Sequence, residues 1–139
     1  MKEREYIEQA LRQSIVNALG QIKVNVANIT DELPDEISES VDLHYMPSGV
    51  RAATLGNVGE DHHDGLIQCD IKVATGTGTS RSDDIAYLLT GIFTAGHRVW
   101  YNTTEVVITK SAKEQGFERN GWWVTPVSIY WYSRIKRGV

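Results

Sequence analysis

The run Glu60-Asp61-His62-His63-Asp64 holds the densest set of groups able to do chemistry in this chain: two imidazoles and three carboxylates within five residues. These are the right atoms for a divalent metal or for acid–base work. Adjacent residues point in different directions, however, and the separated spacings of ordinary metal sites are absent. A second candidate is Gly76-Thr77-Gly78, ahead of a predicted helix start, since helix N-termini attract anions. The dinucleotide fingerprint would want another glycine at position 81, where Arg81 stands, and the Gly-Lys-Ser/Thr of a phosphate-binding loop is missing. No Gly-x-Ser-x-Gly elbow accompanies the serines, and Cys69 lies on the apolar side of a predicted strand, where a thiol is inert. These residues lack the constellation of an active site, and no cofactor is called for.

The elements that must position these groups follow from periodicity. In the stretch 66–73, Ile67, Cys69, Ile71 and Val73 alternate with Gln68, Asp70 and Lys72, the period of a half-buried strand. Ser80-Arg81-Ser82-Asp83 then offers a cap, and Ile85, Leu88, Leu89, Ile92 and Phe93 form one stripe of a helix over about 81–94, with Gly96 as its stop. A first helix is predicted over about 3–19, with Tyr6, Ile7, Ala10, Leu11, Ile15, Ala18 and Leu19 on one side and Gly20 after it. Residues 22–29 read as a short strand or an extended connector, and 30–40 as an acidic surface loop around Pro34.

Val41, Leu43 and Tyr45 alternate with Asp42 and His44, and Pro47-Ser48-Gly49 is expected to close that strand. A polar connection through residues 51–65 should follow. Residues 97–101 and 104–109 read as two short strands, and 110–120 as a polar stretch. The segment 121–132 is apolar on both faces, which suits a central strand, yet Pro126 cannot donate a ladder hydrogen bond and points to an edge or a bulge. An edge strand with two apolar faces needs a cover, from the first helix or from a neighbouring subunit. Residues 134–139 are expected to be a flexible basic tail.

The whole chain, 139 residues with 41% hydrophobic and 23% charged, suits a single domain over 1–139. No apolar run is long enough to span a bilayer, no signal-like stretch opens the sequence, and a lone cysteine suits a reducing cytoplasm. A formal charge of −4 argues against avid nucleic-acid binding by a monomer.

The succession from Tyr45-Met46-Pro47 through Gly65-Leu66-Ile67-Gln68-Cys69-Asp70-Ile71 to Ile85-Ala86-Tyr87-Leu88-Leu89-Thr90-Gly91-Ile92-Phe93 resembles the phage tail terminator-like family of long-tailed phages. The finish, Gly121-Trp122-Trp123-Val124-Thr125-Pro126-Val127-Ser128-Ile129-Tyr130-Trp131, is similar to that family's last strand. The acidic residues in 31–39 and the cluster at 60–64 depart from the family pattern. The resemblance implies an α+β fold with helices packed on a mostly antiparallel sheet. It also implies a structural virion protein without catalysis: a homohexameric ring on the head-proximal end of the tail tube, assembled in the host cytoplasm. Its partners would be further copies of itself, the major tail tube protein and a head-completion or neck protein, with DNA passing through the lumen unbound and no membrane involved. The alternatives are another head–tail connector, or a small metal-dependent enzyme built on His62 and His63. The residues put forward for interaction are Arg51, Glu60, Asp61, His62, His63, Asp64, Trp122, Tyr130, Tyr132 and Arg134.

Overall fold

In the computed structural model, which describes residues 2–26, 39–76 and 80–137, the alternating segments join into one sheet. Strand β2 (Glu39–Ala52) pairs antiparallel with β3 (Glu60–Ala74), so that Val41, Leu43 and Tyr45 stand opposite Ile71, Cys69 and Ile67. Strand β7 (Trp122–Lys136) takes the other side of β3, setting Ile129 opposite Ile67 and Val127 opposite Cys69. Matching period and register thus put the apolar residues of three long strands on one face. Strand β1 (Lys23–Val26) adds parallel to β2, while β5 (Thr104–Lys113) and β4 (Arg98–Tyr101) extend the sheet beyond β7. The order is β1-β2-β3-β7-β5-β4, with β6 (Phe117–Arg119) pairing with β7. The fold is α+β, a curled and mostly antiparallel sheet with two helices.

Both helices cover the apolar face. Helix α1 (Lys2–Leu19) buries Ile7, Ala10, Leu11, Ile15 and Leu19, and Gly20 ends it with a positive φ and an amide donating to the Val16 carbonyl at 3.1 Å. Helix α2 (Ser80–Ile92) buries Ile85 and Leu89, with Phe93 just beyond its end. The expected stripe was drawn one step too wide, because Leu88 is exposed and Ser82 and Ala86 are buried instead. Glu39 at the start of β2 receives two bonds from the Arg81 guanidinium, at 2.6 and 2.8 Å, which pins the beginning of α2 to the sheet. The acidic loop expected over 30–40 lies outside the described residues except for Glu39 and Ser40, which open β2.

Four expectations are corrected. Pro47 does not close β2; the strand runs on to Ala52 through a bulge between Pro47 and Gly49. The polar connection over 51–65 is therefore short, residues 53–59, and the Glu60 to Asp64 cluster is strand. The polar stretch 110–120 likewise holds the end of β5 and the whole of β6. Finally, β7 is central despite Pro126. The Pro126 carbonyl accepts from Glu114 at 2.8 Å, and since a residue's N and C=O face the same neighbour, the missing N–H falls where β5 has ended and β6 has not begun.

Cys69 is completely buried between Leu43 and Val127, and burial pushes its thiol well above the ordinary range. A maleimide or disulfide reagent should leave it unmodified at pH 8 for as long as the fold persists, and react fully once denaturant unfolds the chain. Labelling of the native protein within minutes would contradict this packing.

Candidate functional site

Alternation along β3 and β7 separates the predicted site residues into two groups. Even-numbered positions turn to the side away from the helices. There His62 stands opposite Arg134, Asp64 opposite Tyr132, and Leu66 opposite Tyr130. The His62 and Tyr132 rings stack with centroids 5.1 Å apart at 15°. His62 Nε2 lies 3.7 Å from Asp64 Oδ2, which Arg51 approaches to 3.9 Å, and Lys110 Nζ sits 4.6 Å from the Tyr130 ring centroid. A shallow hollow of about 340 Å³ lies among His62, Asp64, Leu66, Tyr130 and Tyr132. The open sheet face thus carries a row of cations and aromatic rings.

Burial holds the His62 pKa below its ordinary value, helped by the Arg51 and Arg134 charges and opposed by Asp64. A histidine whose folded pKa is depressed contributes stability that is complete above its unfolded value, about 6.5, and is lost as pH falls through the lower folded value. His62→Gln should therefore flatten the loss of stability between pH 7 and 5, measured by urea unfolding across that range. A variant with the wild-type slope would assign the titration elsewhere.

Odd-numbered positions face the helices. His63 is buried there, with Ser133 opposite it, so the two imidazoles lie on opposite sides of the sheet. Among the described residues no three His, Cys, Asp or Glu side chains are grouped to hold a metal ion. His63 instead lines a cleft of about 410 Å³ between β2 and α1, together with Tyr45, Val50, Trp131, Glu5 and Glu8. Its floor is Tyr45 stacked on Trp131, with centroids 5.6 Å apart at 8°. Burial pushes the Tyr45 hydroxyl up to about 12, and the nearby Glu8 adds to the shift. The Trp131 indole N–H is buried without a hydrogen-bond partner. Sequence reasoning missed this cleft, because Tyr45 and Trp131 read only as apolar positions and no periodicity joins β2 to the second turn of α1.

Of the tail expected to be flexible, residues 134–137 are tied down, while 138 and 139 lie outside the described residues. Strand β7 continues to Lys136 with Ile135 buried, and Arg137 then reaches the β2–β3 turn. Its guanidinium donates to Asp61 Oδ1 at 2.7 Å and to the carbonyls of Thr54 and Gly56, both at 2.6 Å, while its backbone amide donates to Gly59. Asp61, put forward for interaction, is thus a structural partner, and Glu60 lends its carbonyl to the same guanidinium. Trp122 sits at the far end of β7, opposite Ala74, with Lys72 6.0 Å from its ring and apart from the His62 group. Arg137→Ala should cost about 1.5–3 kcal/mol, the range for charge-assisted bonds, and raise amide exchange in residues 53–59 far more than in β3 and β7. Uniform exchange would show that the turn holds without the guanidinium.

These surfaces present charge, rings and an apolar cleft for binding. No helix among the described residues is long and apolar enough to cross a membrane. Comparison with known proteins gives the following. A family model described as "Phage tail terminator protein" matches residues 7–131. No curated protein matches significantly. Among solved structures, one that bears only a sequence identifier is 18% identical over 95% of this chain and 92% of its own, with a TM-score of 0.68, a likeness of fold.

Proposed function

The chain belongs to the phage tail terminator family, with a structural role in the phage tail, and from that premise we propose that it forms a ring, a hexamer, on the head-proximal end of the tail tube. There it stops tube polymerisation and offers the joining surface to a head-completion protein. The observation that carries this reading is the family match over residues 7–131. The open sheet face supports it, since Arg51, His62, Asp64, Tyr130, Tyr132 and Arg134 form a polar and aromatic row on the side of the sheet away from α1 and α2. Such a mixture of rings and arginine is enriched where protein surfaces meet. In this reading the partners are further copies of the chain, the tube protein and the neck, and the work is done by binding. Six copies at −4 each would keep phosphates from sticking in the lumen.

Light scattering across a concentration series, with negative-stain images of the same fractions, tests the ring. Rings with a central hole, or added protein capping purified tubes and halting their growth, are the expected results. Binding to the portal-side connector with no effect on tubes would move the protein to another neck position.

A further inference from the structure

The most exposed apolar side chains of the described residues, Leu55 at 93% and Val58 at 88%, sit on one feature, the tip of the β2–β3 hairpin. Solvent is a poor place for both, and the tip is not loose. Arg137 binds three carbonyls and Asp61 beneath it, and Gly59 is packed so closely that an added Cβ would lie 2.2 Å from the Arg137 guanidinium. A knob held in shape before contact loses little freedom on docking. A hole of matching character, the Tyr45–Trp131 cleft, opens against the stem of the same hairpin at Val50 and His63 and has an aromatic floor.

We propose that Leu55 and Val58 of one copy seat in the Tyr45–Trp131 cleft of a second copy. Knob and hole are separate parts of the same chain, the tip at residues 55–58 and the cleft between the hairpin stem and α1, so every copy both gives and receives. That is a heterologous contact, the kind from which a ring closes. Charge favours the same pairing. The cleft's rim carries Glu5 and Glu8, whereas the hairpin stem and the β7 end beside it keep Arg134 and Lys136 against Glu60, once Arg51 is set against Asp64 and Arg137 against Asp61. The proposal rests on the ring reading above and names the surfaces that would make the ring.

Cross-linking tests it. Leu55→Cys and Glu8→Cys are prepared as separate full-length proteins, mixed, and treated with a short bismaleimide; buried Cys69 does not compete. The expected result is a cross-linked dimer in the mixture and neither variant linking to itself, with the doubly substituted chain giving a ladder that ends at the ring. In parallel, Leu55→Asp with Val58→Asp should raise the concentration needed for assembly more than tenfold while circular dichroism and melting stay as in wild type. Wild-type rings without the tip-to-cleft link would overturn this contact and leave the ring standing. No rings in solution or on purified tubes, and no link, would overturn both. A link from Leu55→Cys to the tube protein alone would make the cleft's occupant something other than a second copy.

Discussion

Gly65→Val is expected to lose stability at the upper end of the overpacking range, about 1–3 kcal/mol, a large share of the 5–15 kcal/mol typical of a folded domain. The residue stands in β3 between Pro47 of β2 and Trp131 of β7. A Cβ placed there would lie 2.5 Å from the Met46 carbonyl oxygen, 2.8 Å from Pro47 Cα and 2.9 Å from the Ser48 nitrogen. All three are backbone atoms, so no rotamer change can clear them. The bulge between Pro47 and Gly49 lies directly against this position. Nor does Gly65 have a positive φ, so the requirement is for space and not for a left-handed backbone. Gly91, near the end of α2, separates the two effects: nothing lies within 4 Å of a Cβ there. Gly91→Ala should instead stabilise by roughly 0.5–1 kcal/mol, through helix propensity alone. Urea unfolding of both variants with m-values compared checks the pair. If Gly65→Val loses less than about 1 kcal/mol, the bulge yields and β2 is softer than its packing implies.

That glycine marks where the sequence was legible and where it was not. Ile67, Cys69, Ile71 and Val73 announced β3 because one face of the strand is dry and the other wet, and periodicity reports that difference. The Glu60 to Asp64 run was read as a loop because its polar residues hide the alternation. Three of the five, Glu60, His62 and Asp64, lie on the side away from the helices, and Asp61 and His63, on the helix-facing side, are polar too. The Asn120-Gly121 pair was a usable signal that went unread: both residues have positive φ, and they join Arg119 to Trp122 as a two-residue hairpin loop. Arg137 gave no local signal at all. Its partners at Thr54, Gly56 and Asp61 are more than seventy residues away, and only pairing β3 with β7 brings them together. The site residues divide the same way. His62, Asp64, Tyr130, Tyr132 and Arg134 meet because register puts them on one face, whereas the cleft joins α1 to β2, which no pattern in either segment encodes.

Trp131→Ala should be the other severe substitution, and Trp131→Phe decides what the indole is for. The side chain is 2% exposed and lies against Tyr45, so truncation to alanine removes a large buried ring and its stacking partner's contact, about 3–5 kcal/mol. The low end is expected, because the new space opens into the adjoining cleft, where water can enter. Phenylalanine keeps a ring over Tyr45 and deletes the N–H. In the isolated chain that donor has no acceptor, so its removal relieves a desolvation cost of about 1–3 kcal/mol, which offsets much of the lost apolar area. Unfolding of the monomer should therefore shift by less than about 1 kcal/mol in Trp131→Phe. Assembly should be unchanged too, because the nitrogen is buried within its own chain and the ring over Tyr45 is kept. A Phe variant that matches wild type in stability and in ring building assigns the position's role to its aromatic ring. One that loses several kcal/mol as a monomer would show that the N–H is already satisfied within the chain.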